Sequence, residues 1–490
     1  MSIITFNGTS GFSFEWDFTA VGLVTSASST EIILALDGGG TLTLGGTFPT
    51  LDPITSRPTS GTIDTIDIAS GGETIAIMTS LSAFDFFTWV DANDGTAFNT
   101  ALLAGNDTIT GTPWNDNLIG LSGNDTVYTG GGQDAVHTGA GDDIIALTGP
   151  ILSGSNFNGG DDDDTIRASI AAAAAPVQPT DLYSTVGLFS AIVSGVETIE
   201  FDSQSGEHLR VGMGVWQIGQ ITGLTGGDGS DQLLVLVTSQ VTTSYVLPTL
   251  TLTDWNADDS IMLFGTSPVG TTADFTLDSS AYGGQAILIG GAGNDTLTSG
   301  AGNDLVVTGG GLDNVHTGAG DDIIVFDGIS FGATFNGGDD EDTLRVTSGS
   351  MFAIGGPLGN ATLLGSSVVT DIETLELASQ AGEQLNVLTN AFQLGGFTTL
   401  RGGAGTDFLI VSVPAGGGTV TLPGLNLVDW TDGEDILLLS AVGNLDPSIG
   451  YTLGTDDHTG TYYIGGGAGN DTLNGADGID VLTGNGGNDT

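Results

Sequence analysis

The feature that most limits what this chain can fold into is a nine-residue period. Residues 290–325 divide into GGAGNDTLT, SGAGNDLVV, TGGGLDNVH and TGAGDDIIV. Residues 102–146 divide into LLAGNDTIT, GTPWNDNLI, GLSGNDTVY, TGGGQDAVH and TGAGDDIIA. A third array opens at Gly466 with GGAGNDTLN and GADGIDVLT, and stops within GNGGNDT. Position six is Asp in every unit, and position eight of every complete unit is Ile, Leu or Val. Glycines at positions one, two and four admit positive φ and close approach of carbonyl groups. Positions seven to nine read as a short strand with residue eight inward. Nine residues make half a coil, so each strand is expected to stack on the one two units later, as in a solenoid.

A longer period encloses the arrays. FNGGDDDDTIR recurs as FNGGDDEDTLR, GVETIEFDSQSGEHLRV as DIETLELASQAGEQLNV, and LTLTDWNADDSIML as LNLVDWTDGEDILL. The segments between arrays alternate Val, Ile, Leu and Thr with polar residues and carry no helical heptads, which predicts strands. The expected class is all-β: parallel β-roll or β-solenoid segments in tandem modules behind a small N-terminal β domain. The boundaries read as 1–100 for that domain, 101–280 and 281–456 for two modules, and 457–490 for the start of a third.

Charge narrows the partners. Against 59 Asp and Glu stand five basic residues, giving a net charge of −54. All five are arginines: Arg57, Arg167, Arg210, Arg345 and Arg401. A folded state of that charge repels itself, so an external cation is the economical partner. No basic patch exists to meet nucleic acid, and anionic lipid is disfavoured for the same reason. Mean hydropathy of +0.21 is too apolar for a disordered polyelectrolyte. No apolar run reaches membrane-spanning length, so no membrane insertion is expected. Cysteine is absent, which removes disulfides and thiolate metal sites. The N-terminus has neither a basic segment nor an apolar core, so no classical signal peptide is expected. The chain stops at position seven of a nonapeptide, and the natural chain is expected to continue.

Stacking brings the position-six aspartates of units n and n+2 together. Two carboxylates about 4 Å apart repel by roughly 4 kcal/mol at an effective dielectric near 20. A divalent cation reverses that sign. Ca²⁺ takes oxygen ligands with forgiving geometry, whereas Mg²⁺ demands a tight octahedron, and zinc wants the Cys and His that are scarce here.

With its register of GGxGxDxUx units, the chain resembles the RTX family of haemolysin-type calcium-binding repeats. That resemblance implies calcium held by Asp and by backbone carbonyls of two loops. It implies a site from Gly291, Gly293 and Asp295 with Thr308, Gly310 and Asp313. The next joins Gly300, Gly302 and Asp304 to Thr317, Ala319 and Asp322. In the first array the pairs are Asp107–Asp125, Asp116–Asp134 and Asp125–Asp143. In the third, Gly467, Gly469 and Asp471 face Gly484, Gly486 and Asp489, while Asp480 lacks a later partner.

Some features break the pattern. Trp114 replaces a glycine behind Pro113, which puts the Asp116–Asp134 site in doubt. The acidic runs 161–164 and 339–342 follow their arrays out of frame. They read either as irregular terminal calcium sites or as solvated caps paired with Arg167 and Arg345. The lone nonapeptides at Asp231 and Asp407 read as turns or partial sites. His137 and His316 are expected to be exposed strand ends. Trp255 and Trp430 recur in equivalent segments, with packing favoured over sugar binding. HExxH is absent, no lipase-type nucleophile elbow is expected, and the glycine clusters lack the GK[ST] of phosphate loops. No enzymatic activity is expected.

The favoured function is an extracellular calcium-binding structural protein: an S-layer, adhesin or filament subunit. By the RTX resemblance it is exported through a type I system, then folds and assembles with its own copies on meeting calcium at a bacterial cell surface. The alternatives are the repeat portion of a larger exoenzyme and a carbohydrate-binding surface module.

Overall fold

The computed structural model describes the chain apart from residues 1–2, 8–20, 29, 37–40, 52–56, 71–72, 83–84, 88, 90–94, 174–182, 241–242, 327–331, 348–351, 354–359, 366, 432–433, 442–443, 456–461 and 476–479. Packing divides it into two compact units. One comprises Met1–Leu234 with Leu250–Asp259, the other Val235–Thr249 with Ser260–Thr490.

The first unit begins with antiparallel strands. Glu31–Leu36, Thr41–Leu51, Pro58–Ser70 and Glu73–Ser82 pair in succession, and Ile3–Asn7 closes the set against Glu73–Ser82. Alternation places Ile32, Leu34, Leu42, Leu44, Ile63 and Ile66 in the core. Ile3–Asn7 then pairs in parallel with Thr108–Thr110, the first repeat strand, so the antiparallel segment and the first array share one sheet.

From there pairing is parallel, and the nonapeptides alternate between two sheets. Thr108–Thr110, Thr126–Tyr128 and Ile144–Leu147 stack on one. Asn117–Ser122, Ala135–Ala140 and Asn156–Asp161 stack on the other. Position eight points inward as expected: Ile109, Leu118, Val127, Val136 and Ile145 are buried. In the second unit Gln285–Gly291, Leu305–Gly309 and Ile323–Phe326 form one ladder. The opposite ladder comprises Thr276–Asp278, Thr296–Thr298, Asn314–Ala319 and Thr334–Asp339. Leu297, Val306, Val315 and Ile324 fill the space between. Threonines at position one form a second inward row: Thr138 and Thr317 are buried and donate to the carbonyls of Gly159 and Gly337, each at 2.6 Å.

Parallel stacking does not stop where the repeats stop. In the first unit Thr165–Ser169, Thr198–Asp202, Gly223–Thr225 and Thr251–Thr253 continue the sheet. In the second, Thr343–Thr347, Thr374–Ala378, Thr399–Arg401 and Asn426–Val428 do the same. The coils are longer here, with turns that hold short helices at Val215–Ile218 and Ala391–Leu394. Each helix buries a glutamine. Gln217 donates to the carbonyls of Leu188 and Ala191, and Gln393 to those of Leu364 and Ser367. Among the described residues no helix is long and apolar enough to cross a membrane.

Candidate calcium centre

Each repeat strand is entered through its position-six Asp, and the stacking fixes what that Asp meets. The backbone N–H of Asp107 donates to Oδ1 of Asp125 at 2.7 Å, and Asp125 N–H to Oδ1 of Asp143 at 2.6 Å. On the opposite sheet Asp116 N–H donates to Oδ1 of Asp134 at 2.9 Å. In the second unit Asp295 meets Asp313 at 2.9 Å and Asp304 meets Asp322 at 2.7 Å. Asp471 meets Asp489 at 2.9 Å. Every aspartate pair expected from the sequence is brought together, in two columns along the edges of the coils.

One column in each of the first two arrays also runs beyond it. Asp143 N–H donates to Asp164 at 2.9 Å, and Asp164 N–H to Oε2 of Glu197 at 2.9 Å. Asp322 N–H likewise donates to Asp342 at 2.9 Å, and Asp342 N–H to Oε2 of Glu373 at 2.9 Å. Each acidic run is exposed over its first three residues and buried at its last, Asp164 or Asp342, while Arg167 and Arg345 pair with Glu200 and Glu376 rather than with the runs. Read from Gly159 and Gly337, GGDDDDTIR and GGDDEDTLR are nonapeptides with Asp at position four. Asp162 and Asp340 adopt the positive φ, 79° and 81°, that glycine takes elsewhere. The sequence carried that signal, hidden by a change of frame.

The loop carbonyls approach closely. The N–H of Gly310 donates to the Gly291 carbonyl at 2.7 Å and that of Ala319 to the Gly300 carbonyl at 3.0 Å, leaving each carbonyl a second lone pair. A methyl group on Gly311 would lie 1.8 Å from the Gly293 carbonyl oxygen, and one on Gly320 would lie 2.6 Å from that of Gly302. In the third array the Gly467 N–H holds Oδ2 of Asp471 at 2.6 Å, while its carbonyl accepts from Gly486 N–H at 3.1 Å. A methyl on Gly466 would lie 2.7 Å from the Gly484 carbonyl oxygen, and one on Gly487 would lie 2.1 Å from that of Gly469. Backbones this close exclude any Cβ and line the columns with oxygen. Thr308 and Thr317, whose carbonyls the resemblance enlists, lie fully buried beside them. Asp480 is half-buried and accepts from Tyr462 N–H at 3.3 Å.

Trp114 does not break its column. Its ring turns out to solvent at 52% exposure, its carbonyl takes the glycine carbonyl's place against Gly132, and Thr112 holds Oδ2 of Asp116 from its backbone N–H at 2.6 Å. His137 and His316 are exposed, but they lie within the strands Ala135–Ala140 and Asn314–Ala319 rather than at their ends. Trp255 is half-buried, edge-on to Phe201 with ring centroids 5.5 Å apart. The pentapeptide GISFG at 328–332 matches the G-x-S-x-G pattern in sequence. Residues 327–331 lie outside the described residues.

Burial makes these carboxylates reluctant anions. Desolvation, opposed by the backbone N–H bond and reinforced by the neighbouring carboxylate, pushes Asp125, Asp295 and Asp342 up to about 7. Burial likewise carries Asp134 and Asp164 up to about 7, and Asp304 and Asp313 up to about 6. One oxygen of each is already used by a backbone N–H. The other, Oδ2 of Asp125, Asp134, Asp143, Asp164, Asp295, Asp313, Asp322 and Asp342, is buried with no hydrogen-bond partner. An unpartnered buried carboxylate oxygen is costly unless a cation or a proton answers it. Among the described residues no three His, Cys, Asp or Glu side chains converge, so a cation here would draw on backbone carbonyls as well as on paired carboxylates. That donor set, hard oxygen in a pliable loop, fits Ca²⁺.

Parallel coils with stacked aspartates at every turn define a calcium-binding β-roll protein. The sequence model of the RTX calcium-binding nonapeptide repeat matches four times, over residues 115–145, 282–315, 289–324 and 465–490. These stretches are RTX-type calcium-binding repeats, and proteins that carry such repeats are typically secreted. No curated protein matches the chain as a relative.

Proposed function

We propose that the protein is an extracellular structural scaffold wound and locked by calcium, without catalytic activity of its own. The observation that carries this reading is the length of the carboxylate columns. In each of the first two arrays one column passes on into the coils that follow, so a cation bound there joins successive coils of one ladder. A catalytic accessory would need only a local staple, whereas an element under tension gains from a bond at every turn. Extracellular calcium modules typically bind at about 10⁻⁴ to 10⁻³ M. At about 100 times Kd each site adds roughly 2.7 kcal/mol to the folded state. In low cytosolic calcium the chain stays loose enough for type I export; outside, it winds, and copies assemble at the cell surface. Far-UV circular dichroism and light scattering through a calcium titration test both halves. A β signal and particle size unmoved by calcium and by EGTA would defeat the reading.

One observation favours a second reading, glycan binding. An open cleft of about 630 Å³ in the first unit is lined by Glu200, Asp202, Gln204, Asp254, Trp255 and Asn256. An aromatic face among carboxylates and amides suits a sugar ring. Glycan-array binding that survives Trp255→Ala with Trp430→Ala excludes it.

A further inference from the structure

The lone nonapeptides at Asp231 and Asp407, outside the matched repeats, find partners that their spacing conceals. Asp231 N–H donates to Oδ1 of Asp259 at 2.8 Å, and Asp407 N–H to Oδ1 of Asp435 at 2.9 Å, each across 28 residues. Asp259 and Asp435 belong to the turns that carry Trp255 and Trp430. All four aspartates are at most 1% exposed. Their carboxylates are oriented from the backbone. Gly227 N–H holds Oδ2 of Asp231 at 2.6 Å and Asn256 N–H holds Oδ2 of Asp259 at 2.7 Å. Gly403 and Thr431 hold Asp407 and Asp435 in the same way, at 2.6 and 2.7 Å. What remains is Oδ1 of Asp231 and of Asp407, buried with no hydrogen-bond partner in either unit.

Other oxygens crowd each pair. A methyl on Gly226 would lie 2.6 Å from the Asp254 carbonyl oxygen, and one on Gly402 would lie 2.7 Å from that of Asp429. Asp254 and Asp429 hold positive φ, 51° and 53°, as they turn the chain there. Ser203 and Ser379 hydroxyls, each accepting from a glycine N–H at 3.0 Å, stand beside Asp231 and Asp407. The same arrangement recurs in two copies whose tryptophan turns differ in length, since Asn256–Asp259 spans one residue fewer than Thr431–Asp435.

We propose that Asp231 with Asp259, and Asp407 with Asp435, form a second kind of calcium site, one per unit, made by a glycine turn and a tryptophan turn. Two buried carboxylates, a turn carbonyl and a hydroxyl are hard donors in irregular array, which suits Ca²⁺ above Mg²⁺. The proposal needs calcium as the cation but not the scaffold reading.

The test is equilibrium dialysis of the full chain with Ca²⁺, alongside the Asp231→Asn/Asp407→Asn, Asp259→Asn/Asp435→Asn and Asp295→Asn/Asp313→Asn variants. Each of the first two variants is expected to bind one ion fewer per substituted turn. Tb³⁺ emission excited through tryptophan is expected to fall several-fold in both, and equally in Trp255→Phe/Trp430→Phe, which keeps every ligand. An ion count equal to that of the unsubstituted chain in both aspartate variants overturns the proposal, whatever Asp295→Asn/Asp313→Asn does. If those variants lose their β signal, the Trp→Phe chain decides: Tb³⁺ emission undiminished there overturns it.

Discussion

The backbone N–H of Asp164 donates to Oε2 of Glu197 at 2.9 Å, across 33 residues. Asp342 and Glu373 repeat the bond at 2.9 Å across 31. Within the arrays the same place is taken by Asp at a separation of 18. Each of these two columns thus ends on a Glu, one coil beyond the steps of 21 and 20 residues that already exceed the nonapeptide frame. The longer side chain spans the wider step while keeping the carboxylate at the strand entrance.

Glu197→Gln and Glu373→Gln keep an oxygen to accept that N–H but remove its charge. The last calcium of each column should weaken by roughly tenfold, about 1.4 kcal/mol, with the array sites unchanged. Isothermal titration checks this; a uniform shift of all sites would show that the glutamates act on the whole column instead.

Asp313→Asn should have opposite effects with and without calcium. Asp313 faces Asp295 in a buried pair, and Oδ2 of each has no hydrogen-bond partner. Without calcium, losing one charge relieves repulsion, and the urea midpoint in EGTA should rise. With calcium in about 100-fold excess over Kd, losing a ligand removes up to about 2.7 kcal/mol of linked stability. A variant destabilised equally in both conditions would contradict the role of repulsion.

Acid should substitute in part for calcium. Burial raises Asp125, Asp134, Asp164, Asp295 and Asp342 from the ordinary 3.8 to about 7. Folded-state values above unfolded ones mean that the fold binds more protons between about pH 4 and 7. Stability in EGTA is therefore complete below the unfolded value and is lost as pH rises through about 7. Calcium affinity runs the other way, weakening as pH falls from 8 to 6, because protons compete for the same oxygens. Circular dichroism in EGTA at pH 8 and pH 5 should show β structure recovered at the lower value; identical spectra would exclude the linkage.

The sequence made the array legible because its ligand, its turn and its inward residue all obey one period. Asp125 and Asp143 could be paired by counting nine. The same counting failed at Asp164 and Asp342, where insertions after the arrays shift the frame and Asp stands in for the position-four glycine. It failed further at Asp259 and Asp435, whose register is set by a tryptophan turn rather than by glycine. The arrays also looked like islands in sequence, yet parallel pairing continues from Thr165 to Thr251, because alternating Val, Ile and Thr stack without any glycine signature. Strand propensity showed that those segments were β but not which strand each would lie upon.

The closest test of the wound loops is a pair of neighbouring glycines. Gly309 has φ +80°, and a methyl there would lie 1.7 Å from the Gly291 carbonyl oxygen. Gly310, next in sequence, has nothing within 4 Å of a methyl. Left-handed backbone alone costs a non-glycine residue about 1–2 kcal/mol, and the clash with a neighbouring loop adds to it. Gly309→Ala should therefore lose at least about 3 kcal/mol at saturating calcium, in the range of strained core changes. Gly310→Ala keeps its carbonyl and should stay within about 0.5 kcal/mol, as an unstrained surface change does. Urea unfolding of both variants separates the cases. Equal losses would mean that the loops are stacked differently from the close carbonyl contacts on which the calcium columns depend.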